Sequence, residues 1–80
     1  MGVSEIVRKR IEELCLKKRW TFSAVANYSG IPPSTLMNII SGKSKNPGIV
    51  TIKKICDGLE ISLIEFFDTP EFRDLEQEIK

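Results

Sequence analysis

The sequence predicts an all-α fold: a compact bundle of five short helices with a short C-terminal helical segment added. Three observations predict it. Apolar residues recur three and four positions apart, the spacing of one helix face. Glycine, proline and hydroxyl-bearing residues stand at the ends of these periodic segments, where helices start and stop. Residues 21–42, TFSAVANYSGIPPSTLMNIISG, read as two short helices around one tight glycine turn.

The first helix is expected from about Ser4 to Lys18, with Ser4 as its N-cap. Val7, Ile11 and Leu14 share a stripe that ends at Lys18. Arg19-Trp20 is the link, and Trp20 reads as a plug at the core edge. The second helix starts behind Thr21, a good N-cap, and runs to about Tyr28, with Val25 and Ala26 facing inward. Ser29-Gly30 ends it, because glycine takes the left-handed conformation without a Cβ clash. Pro32-Pro33 opens the third helix, where a missing N–H costs nothing. Leu36, Ile39 and Ile40 are its inward anchors, and Gly42 stops it.

A polar loop, residues 43–48, leads to a fourth helix from about Ile49 to Gly58. Its core positions are Ile52, Ile55 and Cys56, with Leu59 just beyond. Ser62 and Glu65 form an S-x-x-E capping box at the start of the fifth helix, which carries Phe66 and Phe67. Thr69-Pro70 caps a last segment, Glu71 to Lys80, with Phe72, Leu75 and Ile79 as an apolar stripe. That stripe either folds back on the first helix or pairs with a second copy of the chain.

Eighty residues suit one small domain, 1–80, with a core over 5–68 and an extension over 69–80. No apolar run approaches the roughly 18 residues of a membrane span. The start, MGVSEIVRKR, lacks the apolar stretch of a secretory signal, and Ile6 stands where a myristoylation pattern needs Ser or Thr. Cys15 and Cys56 lie among apolar residues and read as reduced, packed thiols rather than a disulfide or shared metal site. A cytoplasmic location is therefore expected. The chain has no histidine, no Gly-rich phosphate loop and no nucleophile–base arrangement. An enzyme is not expected, nor is a cofactor, a metal or a small-molecule ligand.

Charge is segregated along the chain. Residues 1–54 carry ten basic and three acidic side chains, a net +7, while residues 55–80 carry two basic and eight acidic ones, a net −6. A basic portion of this kind offers a polyanion an attractive face without a high total charge.

Two helices around Gly30 have the layout of a helix-turn-helix, whose second helix enters the DNA major groove. Several pieces follow in order: T21-F-S-A-V-A26, S29-G-I-P-P-S-T-L-M-N-I-I-S-G42, K43-S-K-N-P47, I49-V-T-I-K-K-I-C56 and L59-E-I-S-L-I-E-F-F67. Over about residues 5–68 the chain resembles the Cro/repressor-type helix-turn-helix family, also called the XRE family. The family's closing Gly-Val-Ser-Leu pattern appears here as Glu60-Ile61-Ser62-Leu63. The resemblance implies a bundle of the lambda-repressor-like type and sequence-specific binding of double-stranded DNA by a transcriptional regulator, most simply a repressor.

Ser34 and Asn38 are the best base readers on the outward face of the third helix, since Asn pairs bidentately with adenine. Thr35 and Met37 can pack on a thymine methyl, and Pro33 offers only apolar contact. Lys43, Lys45 and Asn46 in the following loop, with Thr21, Phe22 and Ser23 at the start of the second helix, are the expected phosphate contacts. Two departures stand out. Phe22 occupies a position where the family often has Gln, and the recognition helix has no Arg, Lys or Gln facing outward.

A homodimer on DNA is expected, with Phe72, Leu75 and Ile79 as its contacts, because one domain reads few base pairs. The alternative is a protein-interaction or antitoxin-like adapter on the same fold. An exposed Phe22–Met37 patch would favour the adapter, and a basic surface beside the third helix would oppose it.

Overall fold

The computed structural model describes residues 2–75 and 77–79; Met1, Glu76 and Lys80 lie outside the described residues. Six helices follow one another: α1 (Val3–Lys18), α2 (Phe22–Ser29), α3 (Pro33–Ile40), α4 (Ile49–Gly58), α5 (Leu63–Phe67) and α6 (Pro70–Arg73). No strand occurs among the described residues. The all-α bundle read from the sequence is thus present, with the C-terminal segment reduced to one helical turn.

The core is built from the expected stripes. Val7, Ile11 and Leu14 of α1 meet Val25 and Ala26 of α2, Leu36 and Ile39 of α3, and Ile52, Ile55 and Cys56 of α4. Phe66 of α5 is fully buried and supplies the largest side chain in the core. Burying a side chain of this size contributes about 2–3 kcal/mol. Phe67 and Phe72 pack around Phe66 with ring centroids 4.9 Å and 6.1 Å away, so α5 and α6 share one aromatic cluster. Ile40, expected inward, is only half-buried at the rim, because α3 ends there and the chain turns outward.

Three helices stop in the same way. Arg19, Gly30 and Glu60 take left-handed φ angles of 58°, 67° and 61°. After each, the next N–H reaches back five residues: Trp20 to Cys15 O (3.1 Å), Ile31 to Ala26 O (3.1 Å) and Ile61 to Cys56 O (3.0 Å). This is the Schellman arrangement, which satisfies carbonyls that a helix end leaves open and brings an apolar residue back onto the helix. Trp20, Ile31 and Ile61 are those residues, and all three pack on the core. Only Gly30 meets the left-handed requirement without Cβ strain.

Two sequence expectations about helix ends need correction. Ser4 is not the N-cap of α1: the helix begins at Val3 behind Gly2, which has no side chain to cap it, and the Val3 N–H donates instead to Glu78 Oε1 (3.5 Å). The last segment is not a helix through residue 79. It ends at Arg73, and Asp74 departs to φ −96° and ψ 15°. Glu71, Asp74 and Glu78 would stand on one face at three- and four-residue spacing, and like charges so placed oppose a helix. The caps at Thr21, Ser62 and Thr69 form as read, each hydroxyl accepting the N–H three residues on.

Arg10 ties the two ends of the domain together. Its guanidinium donates to Phe66 O (2.8 Å) and Glu65 O (2.9 Å) at the end of α5, and also pairs with Glu13. A cation on those carbonyls satisfies them and matches the negative end of the helix dipole.

α2 and α4 approach each other closely at the backbone of Ser29 and Gly58. A Cβ added to Gly58 would stand 2.8 Å from Ser29 N and 3.0 Å from Ser29 Cα, and closer still to Ser29 Oγ. Ser29 Oγ is itself buried and finds no hydrogen-bond partner among the described residues. Both cysteines are buried and free, and burial, the largest cause, raises both thiol pKa values.

Gly58→Ala should therefore lower stability by about 1–3 kcal/mol despite alanine's better helix propensity. Ser29→Ala, which removes the unpartnered hydroxyl from the same contact, should raise it by about 1 kcal/mol; denaturant unfolding of both variants measures the two signs. Glu60→Gly should raise stability by about 1 kcal/mol, since it relieves a left-handed non-glycine residue; an unchanged or lowered unfolding midpoint would contradict that reading. The thiols give a pH dependence. A folded pKa above the unfolded one contributes stability that is complete below the ordinary thiol value of 9.0 and shrinks as pH rises past it. Between about pH 7 and about pH 10 the protein should lose more stability than a Cys15→Ala/Cys56→Ala variant, each compared with its own value near pH 7.

Candidate nucleic-acid interface

The outward face of α3 follows from its inward one. Leu36 and Ile39 are buried, so at 100° per residue Pro33, Ser34, Met37 and Asn38 point to solvent, and all four are exposed. Thr35 sits at the edge of this face and is half-buried. Pro33 at the first helical position starts the helix without a side-chain cap. The five expected base contacts are thus one surface, with Thr35 at its margin.

The loop after α3 is folded back on it. Ser41 N–H donates to Met37 O (2.8 Å), Gly42 N–H to Ile39 O (3.2 Å) and Ser44 N–H to Asn38 O (2.9 Å). These bonds hold Lys43, Lys45 and Asn46 next to the helix end, with all three side chains exposed. Lys43 and Lys45 join no ion pair among the described residues. Other cations are already engaged: Lys53 with Asp57, Arg73 with Asp68, and Lys18 over the Trp20 ring at 5.0 Å.

At the start of α2, Thr21 Oγ1 accepts the Ala24 N–H at 3.1 Å. Its hydroxyl therefore serves the helix first. Thr21 and Ser23 are exposed. Phe22 is half-buried against the core and lines a shallow apolar cleft with Cys15, Leu16 and Trp20. Its side chain has no hydrogen-bonding group, so Phe22 offers a polar partner only through its backbone. Met37 is exposed, whereas Phe22 is half-buried.

A profile of the Cro/C1-type HTH DNA-binding domain matches residues 10–71. The chain belongs to the Cro/C1-type helix-turn-helix DNA-binding family. In this family member the match begins inside α1 and takes in all of α2 to α5, so it includes the helix pair, the lysine loop and the Phe66 core. The crystal structure of the prophage Lp1 protein 11 is similar to it, with a TM-score of 0.81 and 36% identity over 94% of this chain and 100% of that one. No curated protein matches the chain.

Sequence reasoning placed the outward face of α3 and the lysine loop correctly. It missed the engagement of Arg10 by α5, because residues 10 and 66 are far apart in sequence and no local pattern links them. It also missed the stack of Trp20 on Tyr28, whose rings lie 4.7 Å apart at 28°. The aromatic pair was present in the sequence, but only the turn at Arg19 brings Trp20 back over α2.

Proposed function

We propose that this domain binds double-stranded DNA sequence-specifically as a transcriptional regulator, acting as a repressor by occupying an operator-like site. The observation that carries this reading is the single surface made by the exposed face of α3 and the loop hydrogen-bonded back onto its end. α3 enters the major groove, where Asn38 and Ser34 read base edges and Met37, Thr35 and Pro33 contribute apolar contact. Lys43, Lys45 and Asn46, with the first turn of α2 at Thr21, Phe22 and Ser23, hold phosphates. Residues 5–68 form the binding unit and residues 69–80 its C-terminal extension, from which Phe72 packs on the core. Occupancy alone suffices for this role, and no enzymatic chemistry is invoked. A cytoplasmic setting fits a regulator of this kind.

The domain binds as a homodimer, in keeping with the roughly 34 Å spacing of half-sites for such motifs. Of the apolar residues considered for self-contact, Phe72 is shared with its own aromatic cluster, with Phe67 4.8 Å away. Leu75 and the exposed Ile79 remain for a partner copy, together with exposed Ile49, Val50 and Ile64. The adapter reading receives less support, since Phe22 is turned inward and unpaired lysines flank α3.

Selection from a random duplex library should enrich one motif, and its affinity should fall linearly with the logarithm of salt concentration. Asn38→Ala should then relax preference at one base position, a loss of about 1–3 kcal/mol of discrimination, with the salt slope unchanged. Lys45→Ala should weaken all sequences alike and reduce the slope. Enrichment of no motif together with a flat salt dependence would overturn the regulator reading.

A further inference from the structure

α1 lies outside the helix-turn-helix, yet its first turns face the lysine loop. A cleft of about 450 Å³ separates them, lined by Ser4, Glu5, Arg8, Gly42, Ser44 and Lys45. The Arg8 guanidinium reaches across to the loop: a Cβ built on Gly42 would be 3.7 Å from its Nη1. Ser44, on the opposite wall, is the residue whose N–H is bonded to Asn38 O, so this wall is fixed to the end of α3. Two cations and two hydroxyls therefore converge on a space adjoining the reading helix. Glu5 contributes the one carboxylate of the lining, and it pairs with neither cation.

Arg8 and Arg10 are used in opposite ways. Arg10 is spent inside the protein on Phe66 O, Glu65 O and Glu13. Arg8 makes no ion pair among the described residues, and its half-buried stem holds the guanidinium at the cleft. A planar guanidinium presents two parallel N–H groups to a phosphate, while a lysine adds a mobile point charge.

We propose that Arg8 and Lys45 jointly hold one backbone phosphate of the duplex in this cleft, making α1 a positioning element of the DNA complex. The proposal rests on the DNA-binding reading above and adds to it a contact from outside the motif. Such a contact carries no sequence information but fixes the register of α3 in the groove.

The test uses the full chain and the duplex it selects. Arg8→Ala and Lys45→Ala should each reduce the magnitude of the salt slope, and the double variant should reduce it by about 0.9, so that a fourfold rise in salt weakens the unmodified protein roughly 3.5-fold more than the double variant. Base preference should stay unchanged. Ethylation interference should identify one phosphate whose modification weakens the unmodified protein more than it weakens Arg8→Ala, and Lys45→Ala should be desensitised at that same phosphate. The thermal midpoint of Arg8→Ala, read alongside, should match that of the unmodified protein, since the side chain makes no hydrogen bond among the described residues. If the unmodified protein binds normally and Arg8→Ala keeps both its slope and its interference pattern, this inference fails alone. If the unmodified protein selects no duplex, the DNA-binding reading fails and takes this inference with it.

Discussion

The contact between Ser29 and Gly58 sets the geometry on which the rest of the domain depends. α2 lies on α4 closely enough that the Gly58 backbone meets the Ser29 backbone, with no room for a methyl group. α3 packs on both α2 and α1. It follows α2 through the turn at Gly30 and is anchored inward by Leu36 and Ile39. The angle at which α3 offers Ser34, Met37 and Asn38 thus depends on how α2 sits on α4 together with the packing of α3 on α1. The contact has a cost, since the Ser29 hydroxyl is buried without a partner, and an unsatisfied hydroxyl of this kind costs about 1–3 kcal/mol.

Around that contact the domain is closed by links that span its sequence. Arg10 of α1 reaches the carbonyls at the end of α5, which places the first helix against the last large aromatic of the core. The three Schellman ends turn the chain sharply after α1, α2 and α4, and each returns an apolar residue to the core. Two of these turns use Arg19 and Glu60 rather than glycine. Their backbone strain is offset because Trp20 and Ile61 pack where the turn delivers them. A small domain with little core to spare gains from placing apolar groups even in its turns.

Cations in this chain divide by what they face. Arg10, Lys53 and Arg73 are neutralised within the protein, and Lys18 lies over an indole. Arg8, Lys43 and Lys45 have no such partner among the described residues, and they gather at the loop beside α3. A modest net charge of +1 thus conceals a local field suited to a polyanion. The acidic residues of α5 and α6 belong to the part of the chain that braces α1, so they leave the loop open.

The sequence by itself determined the helices, their main caps and the outward face of α3. These are local properties: apolar spacing, proline at a first helical position, glycine at a turn, and a hydroxyl three residues before the N–H it accepts. It also identified the lysine loop, because polar residues bracketed by two periodic segments have nowhere else to go. Only the tertiary structure decided the fate of Arg10 and the need for glycine at position 58, since both depend on residues from distant helices meeting. It also showed that Arg19 and Glu60 adopt a conformation their side chains disfavour, and that the stripe of Phe72, Leu75 and Ile79 is not a helix face. Those outcomes balance local preference against core contacts, and the balance exists only once the core has formed.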